Sequence, residues 1–454
     1  MTQKSSWENC VQGVYQPLTL RQLDRLPHLQ RLSPDLRLAM KAVATVLPFR
    51  VNSYVIDQLI DWDAIPDDPI FQLTFPQPGM LKKPHLDRLY SLLKAGASEE
   101  TLHHVAQKIR AELNPHPGAQ MTLNVPSVDG QRLAGIQHSY AETVLFFPSP
   151  GQTCHAYCTY CFRWAQFVGD DNLKMASSEV DTLKTYLASH PAVTDLLVTG
   201  GDPLIMKASV LFRFLEPLLD PRLEHLTTIR IGTKSLAYWP QRFVTDTDAD
   251  ELLGVFERIV NAGKHLAIMA HYSHPVELST RIAREAVQRI QRTGALIRAQ
   301  APLIHHVNDR VDVWRSLWKT EVHLGIIPYY MFQARDTGAH HYFSVPLTQA
   351  YQIFRGAYRQ VSGLARTVRG PVMSTELGKV LVDGIVERRD RSMFVLRFLQ
   401  ARNADWVGRP FFAAYDSKAT WFSELQPINE ETQEFFTPIT KTSWPTSVQT
   451  LEDA

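Results

Sequence analysis

Three features of the chain predict an α/β fold built from parallel strand–helix repeats. Short, near-continuous apolar runs recur at 143–148, 195–201, 227–233, 265–272, 296–302 and 326–332. Amphipathic stretches with helical spacing lie between them. Most units recur at roughly 30–35 residues, the length of a strand plus its crossover helix. Strands this apolar are buried on both faces, as a parallel sheet requires. On pattern alone, six units fit an incomplete barrel and an open doubly wound sheet equally well.

The first 115 residues read as a helical N-terminal extension. "SPDLRLAMKAVATVL" and "KPHLDRLYSLLKAG" carry apolar residues at helical spacing, the second with Pro just inside its start. "ASEETLHHVAQKIRAEL" follows with acids in its first turn, and "NPHPGAQ" (114–120) reads as a linker. Within 116–362 the strands "TVLFFP", "DLLVTGG", "TTIRIGT", "HLAIMAHY", "LIRAQAP" and "IIPYYMF" alternate with helices from "EVDTLKTYLASH" to "LTQAYQIFRGAYRQVS". The remainder, 363–454, reads as a small C-terminal cap. In it "KVLVDGIVERR" suggests a hairpin, and the last dozen residues read as frayed.

Composition excludes several function classes. The 454 residues are 44% hydrophobic and 20% charged with a formal net charge of +1, which argues against nucleic acid or an anionic membrane as partner. No apolar run approaches the ~20 residues needed to span a bilayer, and "MTQKSSWENC" lacks a signal-peptide core. A cytoplasmic protein is expected.

Three of the four cysteines crowd into "GQTCHAYCTYCFRWAQFVG", at Cys154, Cys158 and Cys161; Cys10 reads as an incidental thiol. The C-x3-C-x2-C spacing follows the first predicted parallel strand, where ligand residues belong. Three thiolates on a short loop read as a metal site rather than a disulfide framework. A closed zinc site wants a fourth ligand, for which His155 could stand in. A [4Fe–4S] cluster held by three cysteines instead leaves one iron free for a small molecule.

"TGGDPL" (199–204) follows the second strand, and the motif pair resembles the radical SAM superfamily. The stretches "LLVTGGDPLI", "IRIGTKSLAYWPQR", "AHYSHP", "RAQAPLIHHVND" and "PYYMFQ" resemble the lysine 2,3-aminomutase family, over residues from about 60 to about 385. The resemblance implies an incomplete (β/α)6 radical SAM barrel. It implies that Cys154, Cys158 and Cys161 ligate a [4Fe–4S] cluster whose open iron chelates S-adenosylmethionine (SAM). Reductive cleavage would give a 5′-deoxyadenosyl radical that abstracts hydrogen from an amino-acid-like substrate. Gly200, Gly201 and Asp202 match the stretch receiving the methionine amino group, and His271 and Gln300 match positions beside SAM. Arg163 matches an arginine for the substrate α-carboxylate. Lys379 matches the lysine that binds pyridoxal phosphate (PLP).

Departures from the family pattern bear on PLP and on substrate. Only Gly378 precedes Lys379 where the family has a glycine run, and Ser139 and Thr143 replace two phosphate-binding arginines, with His138 close by. Arg335 and Val372 replace the two aspartates that read the far ammonium of lysine, with Asp336 one residue away. A cation facing a cation is unfavourable, so free lysine does not fit. "HHVND" (305–309) and "AHHYF" (339–343) read as loop polar residues rather than a second metal site, and "PYYMFQ" as cavity lining.

The expected function is a radical SAM enzyme of 2,3-aminomutase style. One alternative is a PLP-independent mutase, epimerase or modifying enzyme that could act on a protein residue; another is a zinc-ordered binding protein without catalysis. The expected partners are an amino-acid-like small molecule and an electron donor such as a flavodoxin or ferredoxin. A homo-oligomer is left open.

Overall fold

The computed structural model describes residues 15–128, 130–170, 173–388 and 391–437. Cys10 and the last dozen residues lie outside the described residues. The N-terminal region pairs β1 (Pro17–Thr19) with β2 (Arg50–Asn52) and packs α1 (Pro34–Val46), α2 (Pro69–Thr74), α3 (Lys83–Lys94) and α4 (Glu99–Glu112) around them. The caps explain the boundaries: Ser33, Asp68 and Ser98 each accept a backbone N–H from the first turn of α1, α2 and α4. A short hairpin, β3 (Ser127–Val128) and β4 (Gln131–Arg132), follows.

One eleven-stranded sheet dominates the described residues. In chain order its strands are β5 (Ile136–Tyr140), β6 (Thr143–Phe146), β7 (Asp195–Val198), β8 (Thr228–Thr233), β9 (His265–His271), β10 (Leu296–Leu303) and β11 (Ile327–Gln333). They are followed by β12 (Arg369–Ser374), β13 (Gly378–Arg388), β14 (Arg391–Ala401) and β15 (Pro410–Ala414), and the spatial order matches the chain order. Strands β6 to β12 run parallel; β5 and β13 to β15 are antiparallel additions at the two ends.

The helices α5 (Val180–Ala188), α6 (Ala208–Leu215), α7 (Ser235–Tyr238), α8 (Ala249–Asn261), α9 (Arg281–Arg292), α10 (Val311–His323), α11 (His340–Phe343) and α12 (Leu347–Tyr358) occupy the connections from β6 to β12. Their apolar stripes cover the outward residues of the strands, among them Val144, Leu196, Ile229, Ile268 and Ile297, all buried.

The six apolar runs become β6 to β11. A seventh parallel strand, β12, lies in the region read as a separate cap; its sequence "RGPVMS" contains Gly and Pro, which signal a break in a strand pattern. The C-terminal region therefore continues the main sheet. The 114–120 segment is more than a linker. Leu113 O accepts from Gly338 N at 2.8 Å, and Asn114 Nδ2 donates to Asp336 O at 2.7 Å, which fastens the end of α4 to the loop after β11.

The sheet curves round a lumen. Lys379 on β13 and Tyr140 on β5 are separated by seven strands in sheet order, yet the lysine Nζ lies 6.0 Å from the tyrosine ring. The N-terminal region grips the loop after β6, which carries the three cysteines. Asn52, wholly buried, donates to His155 O at 3.2 Å and Tyr238 O at 2.9 Å while its own oxygen accepts from Val55 N. Tyr157 N donates to Arg50 O, and Thr159 N and Oγ1 donate to Leu73 O and Gln72 O. Asn52→Ala should cost about 2–4 kcal/mol, because it orphans buried backbone groups. Hydrogen exchange should rise selectively at 152–161, measured together with a thermal melt.

Candidate active site

The cysteine loop lies directly on the ends of β7 and β8. Asp202 N donates to both Gly151 O (3.0 Å) and Thr153 O (2.7 Å). Its buried carboxylate accepts from Leu204 N, Lys234 N, Ser235 Oγ and, through both oxygens, Thr233 Oγ1, at 2.8–3.0 Å. Burial pushes this carboxyl up while those hydrogen bonds pull it down.

A Cβ on Gly201 would meet the Thr153 backbone at 2.4 Å, and Gly200 has φ +151 with the Gln152 side chain 2.3 Å from a Cβ. The glycine pair is thus needed for close approach of the cysteine loop itself. With its oxygens so engaged, Asp202 holds the frame of the site.

The three thiols share one enclosed space. Burial pushes all three up, Cys161 to about 12, and Cys154 is raised further by the charges of Asp202, Cys161 and Cys158. Cations stand on three sides. Arg50 donates to Thr153 Oγ1 and Cys154 O, Lys234 lowers Cys158, and Arg163 lowers Cys161. Lys234 is itself anchored to buried Glu277 at 2.7 Å and lies 4.6 Å from the ring of Tyr238, whose hydroxyl is 3.4 Å from Cys158 Sγ.

Three cysteine thiols on one loop, each lowered by a nearby cation, fit an anionic iron–sulfur cluster by donor chemistry. His155 does not join them. Its Nδ1 bonds Ser235 Oγ at 3.0 Å, its ring packs against Tyr15 and Trp239, and burial with Arg242 and Arg50 lowers it to about 3. Among the described residues no three His, Cys, Asp or Glu side chains are placed to hold a single metal ion.

His271 and Gln300 face each other across the β9–β10 register, their side-chain nitrogens 2.9 Å apart. With Gln300 donating to Nε2, the histidine carries its proton on Nδ1. Burial, Lys234 and Arg163 hold it neutral, with a pKa lowered to about 3. Arg163 and Arg335 flank the Phe162 ring at 5.0 and 5.4 Å, and burial lowers both, Arg163 to about 10 with the charge of Arg335 adding to the effect. Arg163 Nη1 and Arg335 Nε are buried without a hydrogen-bond partner, so both guanidiniums keep donors for an anion.

Asp336 lies near Arg335 and accepts a weak bond from Asn114. Val372 is wholly buried between Phe332 and Leu381.

Lys379 reaches into the lumen. Its Nζ donates to Gln400 Oε1 at 2.7 Å and lies 5.0 Å from the Tyr330 ring. Burial, Arg230 and Arg369 lower its amine to about 7, against a smaller opposing effect of Asp195. Gly378 serves the sheet, since a Cβ there would meet Gln400 O at 2.2 Å. His138 points away from the lumen, its Nδ1 2.6 Å from the hydroxyl of Tyr186 on α5, which removes it from any phosphate site.

The histidine pairs are not on strands: His305 bonds Asp309, His306 stacks on Tyr342, and His340 and His341 cap loop carbonyls in and beside α11.

Comparison with known proteins finds relatives over most of the chain. A provisionally named L-lysine 2,3-aminomutase of Aquifex aeolicus is 29% identical over 412 residues, 91% of this chain and 96% of that protein. The L-lysine 2,3-aminomutase of Bacillus subtilis is 24% identical over 347 residues, 76% of this chain and 63% of its own. Over most of its length the chain is similar to proteins named L-lysine 2,3-aminomutase. No protein-family model matches it. The crystal structure of Streptococcus suis SuiB bound to precursor peptide SuiA aligns with a TM-score of 0.34 at 11% identity, covering 60% of this chain and 58% of that one, a likeness too slight to define the fold. No helix among the described residues is long and apolar enough to cross a membrane.

Several lumen and frame residues of this aminomutase-like protein escaped the sequence reading: Arg50, Asn52, Arg230, Arg298, Lys234, Glu277 and Arg369. For three of them a signal existed. Arg230, Arg298 and Arg369 are charged residues inside or opening otherwise apolar strands.

Two outcomes follow from this geometry. Replacing Cys158 by Ala should abolish SAM cleavage and the brown cluster absorbance on reconstitution, while Cys10→Ala leaves both intact. Reductive methylation should label Lys379 half-maximally near pH 7, whereas exposed lysines need roughly pH 10. Between those values the unfolded chain binds a proton that the folded protein sheds, so the contribution of Lys379 to stability rises with pH across that window. Lys379→Met should flatten that slope in urea melts at either end.

Proposed function

We propose that this protein is a radical SAM enzyme of 2,3-aminomutase type, built on an incomplete (β/α)6 barrel and acting on an amino acid whose far end is not a cation. The observation that carries the reading is the shared lumen. The three thiols interact with one another, Arg163 beside Cys161 and Arg335 across the Phe162 ring keep unpartnered N–H groups, and Lys379 lies within the curled sheet beside Tyr330 and Tyr140.

The cluster, when bound, supplies the electron that splits SAM into methionine and a 5′-deoxyadenosyl radical. Cys154, Cys158 and Cys161 would hold it, and Arg50, Lys234 and Arg163 would balance its charge. Gly200 and Gly201 let the cysteine loop seat on the strand ends, with Asp202 as a positioning residue. His271, neutral, and Gln300 form a hydrogen-bonded pair that orients SAM without adding charge.

Arg163 binds the substrate carboxylate through its fork. Arg335 makes the far end of the site cationic, which disfavours the ammonium of lysine and favours a carboxylate or a neutral group. Lys379, as a neutral amine at pH 7–8, holds the nucleophile an aldehyde cofactor such as PLP requires. Ser139 and Thr143, which offer hydroxyls where relatives of this type offer arginines, favour a second reading in which the radical reaction runs without PLP.

The test is an anaerobic assay of the reconstituted, reduced protein with a panel of deuterated amino acids. Acidic or neutral amino acids should raise 5′-deoxyadenosine formation and pass deuterium into it, and Arg163→Lys should raise KM at least about tenfold through loss of the bidentate contact. Deuterium transfer from lysine at a rate matching the others would contradict the substrate reading.

A further inference from the structure

The lumen contains a second cationic group that the reading above does not use. Arg369, the first residue of β12, stacks on two rings, with its Cζ 4.2 Å from the Tyr330 centroid and 4.5 Å from that of Tyr329. Arg298, on β10, stands 5.3 Å from the Tyr329 centroid. Arg230, on β8, is paired with Asp195 at 2.7 Å. Lys379 belongs to the same neighbourhood, since Arg230, Arg369 and Asp195 all act on its charge and its Nζ lies 5.0 Å from the Tyr330 ring.

Stacking occupies the faces of the Arg298 and Arg369 guanidiniums and leaves their edges, which carry the N–H donors, turned elsewhere. Among the described residues neither donates a hydrogen bond or pairs with a carboxylate, and both are half-buried. Asp195 is the one carboxylate acting on Lys379, and it is already matched by Arg230. Two guanidinium charges therefore remain uncompensated near an amine whose pKa is already depressed. Cations held on the same tyrosine pair repel one another, and a dianion bound by both removes that cost.

We propose that Arg298 and Arg369, with Arg230 behind them, form the phosphate clamp of an aldehyde cofactor of the PLP type held by Lys379. They would replace, from strands on the other side of the lumen, the arginines that Ser139 and Thr143 lack. The inference rests on the reading of Lys379 as the cofactor lysine. Its chemistry is balanced by condensation: the Lys379 nitrogen bonds to the aldehyde carbon, and the aldehyde oxygen leaves as water with the two amine protons. The tyrosine pair keeps both arginines in place, and the uncompensated charge selects a phosphorylated aldehyde over its dephosphorylated form.

The test compares PLP with pyridoxal, which carries the same aldehyde without phosphate, on the full-length reconstituted protein. Binding is followed by the yellow absorbance of the lysine adduct, and the site by borohydride fixation and peptide mass mapping. PLP should bind at least about tenfold more tightly than pyridoxal, the scale of a charge-assisted contact. Arg369→Gln and Arg298→Gln should each erase about tenfold of the PLP affinity and leave pyridoxal unchanged. Arg369→Lys, which keeps the charge, should recover part of the loss and guards against a merely misfolded variant.

A Lys379 adduct whose PLP affinity is untouched by both glutamine variants overturns the clamp while leaving Lys379 as the cofactor lysine. Absence of any adduct on Lys379, with SAM still cleaved, overturns the PLP reading and the clamp together.

Discussion

The carboxylate of Asp202 is the joint on which the candidate site hangs. Burying an unpaired acid is expensive unless its oxygens are filled, and here donors from Leu204, Thr233, Lys234 and Ser235 fill them. The same residue's N–H reaches back to Gly151 O and Thr153 O. One residue thus fastens three segments: the loop carrying the cysteines, the end of β7 and the turn after β8. Gly201 makes the contact sterically possible, since any side chain there would strike the Thr153 backbone. With this joint intact, Cys154, Cys158 and Cys161 are presented together, and Lys234, next to Ser235, is delivered to Cys158.

The N-terminal region completes the frame from the other side. Arg50, Asn52 and Leu73 bond the cysteine loop through its backbone, Gln72 O accepts from the Thr159 hydroxyl, and Tyr15 adds a bond to His155 O at 2.9 Å. Much of the loop's polar backbone is thereby satisfied without water, which a dry site for radical chemistry needs. Two arginine pairs line the interior, Arg163 and Arg335 about Phe162 and Arg298 and Arg369 about the Tyr329–Tyr330 pair. Lys379 stands beside the second pair, and its depressed pKa follows from burial among like charges.

Much of this was legible in the chain. Apolar runs with both faces covered are a strong local signal, so β6 to β11 read within one or two residues of their observed ends, apart from the Gly-containing end of "DLLVTGG". The cysteine spacing and "TGGDPL" pointed to one end of the parallel sheet for the same reason. What stayed hidden depends on long-range placement. β12 carries Gly370 and Pro371, which local rules read as a break. The grip of Asn52 and Gln72 on a loop about a hundred residues away has no periodicity to betray it. The histidine pairs at 305–306 and 340–341, read as loop polar residues, lie in a turn and in α11. The lumen arginines were visible as charges in apolar strands, yet only the curl of the sheet shows that they meet beside Lys379.

The central claim is that the three cysteines hold a [4Fe–4S] cluster with an iron open to SAM. Electron paramagnetic resonance of the reduced, reconstituted protein, recorded with and without SAM, tests it most directly. The account predicts a reduced-cluster signal that shifts when SAM binds, because the ligand enters the coordination sphere of the open iron. A reduced-cluster spectrum unchanged by saturating SAM, or no cluster signal at all, would contradict it.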